Sequence, residues 1–206
     1  YRLLLGEEGV MYARLSVIWA TDNKHLIIGV MNIDQEIRKE KEIERQLFIA
    51  NEKAYRDNLT GVKNKAAFTE YEEKLDEQIA AGNALNFSIV ICDVNGLKEV
   101  NDCQGHNEGD RYIISAAKLI CNIWDHSPVF RIGGDEFAVI LTEDDYLNRY
   151  TLLAKIREQV LNNKENGGVI VATGMADYQP GSGMDVREVF NRADSLMYDN
   201  KAKLKQ

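Results

Sequence analysis

Seven residues, Arg131-Ile132-Gly133-Gly134-Asp135-Glu136-Phe137, constrain this chain more than any other stretch. Apolar runs flank them, Val129-Phe130 before and Phe137-Ala138-Val139-Ile140-Leu141 after. Two glycines between two such runs predict a β-hairpin, with glycine supplying the positive φ of a tight turn. Asp135 and Glu136 then stand together at the mouth of the turn. Neighbouring carboxylates repel one another, so a site that keeps both calls for a proton or a cation. A hard divalent metal and a phosphate-bearing substrate suit that pair.

Around the hairpin the chain reads as three segments. Residues 1–33 carry two apolar runs, Met11 to Trp19 and Leu26 to Met31, separated by the turn-forming Thr21-Asp22-Asn23-Lys24. They predict strands at the end of a larger β-containing domain, because thirty-odd residues bury no core alone. Residues 34–56 are rich in Glu, Lys, Arg and Gln and lack Pro and Gly, with Ile37, Ile43, Leu47, Ala50 and Ala54 near helical spacing. They read either as a solvated connector helix or as a short coiled coil that pairs two chains. Residues 57–206 form the main domain. Helices are expected over Asn64–Ala81, Leu97–Cys103, from Asn107 or Asp110 to Ile123, over Asp144–Leu161 and within Met184–Lys203. Strands are expected at Phe87–Cys92 and Gly168–Thr173. Helices alternate with strands, but one strand pair is a hairpin. The expected fold is therefore α/β (α+β), a mixed central sheet with flanking helices.

Composition narrows the partners. The net charge of −8 over 206 residues argues against a nucleic-acid or anionic-membrane surface. Cys92, Cys103 and Cys121 form no C-x-x-C pair, and their odd number argues against a disulfide framework, so a reducing, cytoplasmic setting is expected. No run of eighteen apolar residues is present. The chain opens on Tyr1 rather than Met, which suits a fragment whose full length could be membrane-anchored upstream.

Several polar residues are candidates beside the hairpin. Asp93 follows the apolar run that ends at Cys92, at the strand end where ligands gather in open α/β sheets. Such an Asp can equally be the N-cap of the next helix. If the hairpin lies beside this strand, Asp93, Asp135 and Glu136 converge, and two metal ions are the usual answer to such convergence in phosphoryl transfer. Lys98 is an exposed helix lysine or a phosphate contact. The backbone N–H groups of Gly96 and Leu97 could face phosphate at a helix start. Asn101 and Asp110 are helix-end residues or readers of guanine, which offers an acceptor at O6 and donors at N1 and N2. No P-loop and no G-x-S-x-G sequence occurs.

Five ordered motifs in residues 57–206 resemble those of the GGDEF family of diguanylate cyclases. They are Asp57-Asn58-Leu59-Thr60-Gly61, Asp93-Val94-Asn95-Gly96-Leu97-Lys98-Glu99-Val100-Asn101-Asp102, Gly105-His106-Asn107-Glu108-Gly109-Asp110, the Gly133-Gly134-Asp135-Glu136-Phe137 signature, and Ala193-Asp194-Ser195-Leu196-Met197-Tyr198 running on to Lys201. The resemblance implies a palm-like nucleotidyl-cyclase fold and condensation of two GTP into cyclic di-GMP with release of pyrophosphate. It implies two Mg²⁺ (or Mn²⁺) per active site, held by Asp93, the Val94 carbonyl, Asp135 and Glu136. Glu136 would help deprotonate the ribose 3′-OH, Asn101 and Asp110 would read guanine, and Lys98 and Lys201 would hold phosphates. It also implies a homodimer, through the helix at 34–56 and with cyclase domains face to face. The alternative is a catalytically weak module that binds GTP or cyclic di-GMP. Many members carry an inhibitory R-x-x-D product site before the hairpin; Trp124 and Ser127 occupy those positions here, so that inhibition is expected to be absent. Residues 1–33 resemble the C-terminal end of a PAS sensor domain, which implies control by an upstream signal.

Overall fold

The computed structural model describes residues 2–4, 10–21 and 24–205. They divide into two compact units, 1–54 and 55–206. In the first, β1 (Arg2–Leu4), β2 (Val10–Trp19) and β3 (Leu26–Asn32) form an antiparallel sheet, followed by α1 (Asp34–Tyr55). Asp22 and Asn23, named above for a turn, lie outside the described residues. The helix begins with Asp34 and Glu36 and ends with Lys53, an order that complements its macrodipole. None of its residues is buried.

In the second unit, β4 (Lys63–Asn64), β5 (Phe87–Asn95), β6 (Val129–Arg131), β7 (Glu136–Leu141) and β8 (Ile170–Tyr178) form one sheet in the order β4-β6-β7-β5-β8. The β4–β6 pair is parallel and the others antiparallel, so the sheet is mixed. The helices are α2 (Lys65–Ala80), α3 (Leu97–Gln104), α4 (His106–Ile123), α5 (Glu143–Leu147), α6 (Arg149–Asn166) and α7 (Val186–Leu204). Both α2 and α7 start on side-chain caps. Asn64 accepts from the Ala67 N–H, and Asp185 with Glu188 forms a capping box.

Central strand β5 is buried on both faces, as its unbroken apolar run requires. Val90, Cys92 and Val94 face a core shared with α4 and α6, while Phe87, Ile89 and Ile91 face a core shared with α2 and α7. Each such side chain contributes about 1.5–3 kcal/mol by leaving water. The same period-two alternation fixes the side of the sheet on which the acids stand. Asp93 belongs to the phase of Ile89 and Ile91, toward α7. On β7, Ala138 and Ile140 share that side, and Glu136 is in phase with them.

The helix expected over Asp144–Leu161 is two, α5 and α6, broken at Asn148, and the strand expected at Gly168–Thr173 runs instead over Ile170–Tyr178. Two further expectations change. Strand β5 runs three residues past Cys92, so Asp93 lies within the strand and Gly96, at φ 78°, occupies the cap position of α3. The hairpin glycines are the second. Neither Gly133 nor Gly134 is among the positive-φ residues. The Glu136 carboxylate instead occupies the space beside Gly133, where a Cβ would lie 2.7 Å from Oε2. The turn spans four residues, closed by Ile132 and Gly133 N–H groups that donate to the Glu136 carbonyl at 3.0 and 3.3 Å.

Candidate active site

Register brings the acids together. Asp93 on β5 is the direct partner of Glu136 on β7, and cross-strand partners have Cβ atoms about 5 Å apart. The Val94 N–H donates to the Asp135 carbonyl at 2.9 Å, which ties the end of the hairpin to the same strand. Asp93 and Glu136 are thus cross-strand partners, and Asp135 is held at the same end of the sheet through its backbone.

Asp93 is 5 % exposed. Its partner is Lys201, near the end of α7, whose Nζ donates to Oδ2 at 2.8 Å and lies 2.7 Å from Oδ1. The side-chain oxygen of Asn95, two residues on, is buried without accepting a hydrogen bond, whereas Asp93 Oδ1 has the Lys201 ammonium against it. Buried oxygens without donors are costly. Burial pushes the Glu136 carboxyl above its ordinary range, and Asp135, Asp93 and Asp194 push it further, with Lys201 opposing. The site is short of positive charge although one ammonium already sits in it. These oxygens fit a hard divalent cation, with Asp93, Asp135, Glu136 and the Val94 carbonyl as the donors at hand.

The placement of Lys201 depends on α7 lying directly against β8. At Gly174 an added Cβ would fall 2.0 Å from Met197 N and 2.1 Å from the Ala193 carbonyl. Backbone meets backbone there. Asn200 adds a hydrogen bond from the Thr173 N–H at 2.9 Å. One residue later, Lys201 reaches Asp93.

A cavity of about 480 Å³ opens beside Asp135, lined also by Lys98, Asn101, Asp110 and Arg131, while Glu136 borders a separate cavity toward α2 and α7. The base-reading candidates and a hairpin acid thus border one space. Asn101 gains its place because Gly109 has no side chain: a Cβ there would sit 1.9 Å from Asn101 Oδ1. Asp110 lies inside α4 and is exposed, so it caps nothing. Lys98 is on the first turn of α3, after Gly96 and Leu97, at a helix start with no side-chain cap.

Two supporting residues had no assigned role in the sequence. Arg131 donates from Nε and one terminal nitrogen to the Gly134 carbonyl, at 3.2 and 2.7 Å, and from the other to both Asp57 oxygens at 3.0 and 3.2 Å. Asp57 also accepts from the Thr60 hydroxyl and N–H. The hairpin tip is thereby clamped to the opening segment of the domain. Asp57 and Arg131 both stand in quoted motifs, but nothing in a 74-residue separation pairs them. Asp194, which adds negative charge near Glu136, was likewise visible only as a motif letter.

Residues 54–206 match the family described as diguanylate cyclase, GGDEF domain. Among curated proteins, the chain is 29% identical over 153 residues to the bifunctional diguanylate cyclase/cyclic di-GMP phosphodiesterase MucR of Pseudomonas aeruginosa, covering 72% of this chain and 22% of MucR. It is 30% identical over 186 residues to diguanylate cyclase DgcP of Escherichia coli, covering 82% and 52%. The chain thus spans about half or less of these relatives. Among solved structures, the coiled coil and GGDEF domain of DgcB from Caulobacter crescentus, in complex with c-di-GMP, superposes with a TM-score of 0.69 at 24% identity, covering 82% of this chain and 92% of that one.

Proposed function

We propose that this chain, which belongs to the GGDEF family of diguanylate cyclase domains over residues 54–206, condenses two GTP into cyclic di-GMP and pyrophosphate. The observation that carries the reading is the pairing of Asp93 with the Asp135–Glu136 hairpin and with Lys201, next to a cavity that Asp135 lines together with Asn101, Asp110 and Lys98. Divalent cations, when bound, would polarise the attacking 3′-oxygen and offset phosphate charge. Asp93, Asp135, Glu136 and the Val94 carbonyl would hold them.

The remaining roles follow from side-chain chemistry. The Asn101 amide offers both a donor and an acceptor edge, and the Asp110 carboxylate accepts from guanine N1–H and N2–H. Adenine would leave these groups unpaired, which is the basis for rejecting it. The N–H groups at the start of α3 and the Lys98 ammonium suit the phosphates. Lys201 neutralises Asp93 in the metal-free chain and would turn to phosphate when a cation takes its place. Glu136, at the hairpin opposite Asp93, is the group assigned to receiving the 3′-OH proton. One domain offers one such nucleotide site, so the reaction requires two domains facing each other. The reading includes PAS-type control through residues 1–33 and α1. It includes no R-x-x-D product site, since Trp124 is fully buried and Ser127 is hydrogen-bonded to Asp145.

Incubation with GTP and Mg²⁺, with products read by mass, tests the assignment. Cyclic di-GMP is the expected product, and Asp135→Ala should reduce its formation at least about 100-fold, the scale of several kcal/mol of lost charge stabilisation. Asp135 is at a turn, so the variant should keep its fold. GTP binding without turnover in the unaltered chain would return the domain to a regulatory binding module.

A further inference from the structure

The turn between α4 and β6 contributes nothing to the carboxylate site, yet it gathers three metal-ligand side chains. His126 Nδ1 lies 2.8 Å from Asp125 Oδ1 and 3.8 Å from Asp145 Oδ1. One ligand atom from each residue falls within 4.8 Å of the other two. Asp145 comes from α5, beyond the far end of β7, so the fold assembles this group and local sequence does not. Strand β7 separates it from Glu136 by about 17 Å of extended chain.

Asp145 is the informative member. It is 4 % exposed, and a carboxylate so far removed from water calls for compensating charge. Ser127 Oγ donates to its Oδ2 at 2.7 Å, which fixes the carboxylate with Oδ1 toward the imidazole. Glu143 and Asp144 precede it in the same short helix, and Asp125 stands across from it. Arg149, one turn later, is committed to Asp177 at 3.1 Å from both oxygens. The imidazole faces an excess of acid.

We propose that Asp125, His126 and Asp145 bind a divalent cation of the borderline class, Zn²⁺ or Co²⁺ rather than Mg²⁺. One imidazole nitrogen and two carboxylates are a donor set for such ions, and the imidazole disfavours the hard cations that suit the hairpin acids. Three protein ligands leave positions open for water. Ser127 orients Asp145 as outer hydrogen-bond donors orient ligating carboxylates. The bound ion would tie the α4–β6 turn to α5, at the end of the sheet away from the glycines. The site stands independently of the cyclase reading.

Co²⁺ titration of the full chain tests it, in the Asp135→Ala background and with Mg²⁺ in large excess so that the hairpin acids do not contribute. One equivalent of Co²⁺ should produce a visible d–d absorption and raise Tm. His126→Ala should lose the absorption and weaken binding at least about 100-fold, and Ser127→Ala should weaken it about 10-fold. The His126 side chain is 68 % exposed, so its removal should leave the metal-free Tm unchanged. The same Co²⁺ affinity in the His126→Ala chain, or no spectral change in its parent, overturns the proposal.

Discussion

Arg131 links three parts of the molecule at one guanidinium. Its side chain is 16 % exposed, and the fork is divided between the Gly134 carbonyl and the Asp57 carboxylate. Burial pushes the Asp57 carboxyl up, but hydrogen bonds from Thr60 and Arg131 outweigh that and hold it below its ordinary range. Arg131→Ala leaves a half-buried carboxylate without its main partner and should cost about 1.5–3 kcal/mol. Urea unfolding measures that loss. Turnover should fall further than stability alone explains, because the hairpin tip loses its anchor, and Arg131→Lys should recover stability better than activity, having no fork. Equal recovery of both would show that the clamp does not position Asp135.

Glu136 supplies a prediction of opposite sign. Burial first, then Asp135, Asp93 and Asp194, raise its carboxyl above the unfolded value, with Lys201 opposing. A carboxyl raised by folding favours the folded state when protonated. That contribution is present below the unfolded pKa and is lost as pH rises through the folded one. At neutral pH without metal the ionised Glu136 is therefore a burden. Glu136→Gln should raise metal-free stability near neutral pH by about 0.5 kcal/mol, a modest figure because the group is largely screened by solvent. The gain should disappear at acidic pH, below the ordinary glutamate range, while turnover is lost. Unfolding at both pH values in chelator checks this, and a gain independent of pH would point to packing instead of charge.

At the scale of elements, the contact between β8 and α7 carries the site. Gly174 allows the two backbones to touch, and the added methyl of Gly174→Ala would meet backbone atoms of Ala193 and Met197 that no rotamer change can move. The helix must shift, at a cost of about 3 kcal/mol. Its end would move with it, taking Lys201 from Asp93, so loss of activity should exceed that caused by Lys201→Met alone. Thermal unfolding and turnover measured together test this. The sequence announced the elements more readily than this contact. An unbroken apolar run identified β5, and apolar spacing identified the hairpin and α7, because burial writes itself into the sequence. The Asp93–Glu136 register could only be stated conditionally, since strand adjacency is set by the whole sheet. Gly174 lay just past the expected strand end, and nothing local marks a glycine whose importance is the helix lying across it. The hairpin glycines were legible as glycines, but for the wrong reason: the Glu136 carboxylate occupies the space beside Gly133, which has no positive φ. Asp57 with Arg131 and Asp125 with Asp145 were illegible as pairs for the same reason, separation along the chain.

At the scale of the whole molecule, the proposed reaction needs two nucleotide sites, and each chain provides one. Helix α1 offers a means of bringing them together. Ile43, Leu47, Ala50 and Ala54 follow the 4-3-4 spacing of a heptad seam, and Ile43 and Leu47 are 50% and 65% exposed in the single chain. The seam is short and half of it is alanine, so pairing should be weak and concentration-dependent. No described helix is long and apolar enough to cross a membrane. With pairing weak, activity per chain should rise with protein concentration and level off once dimers predominate. Leu47→Glu places like charges opposite one another on the seam and should move that rise to concentrations about 10-fold higher or more, which corresponds to about 1.4 kcal/mol of lost association. GTP binding by the separated chain should be unchanged. Rates measured over a dilution series, with sedimentation on the same samples, test both statements. A rate per chain that stays constant down to dilutions at which sedimentation finds only monomers would mean that one domain completes the reaction alone, and the pairing role of α1 would fall.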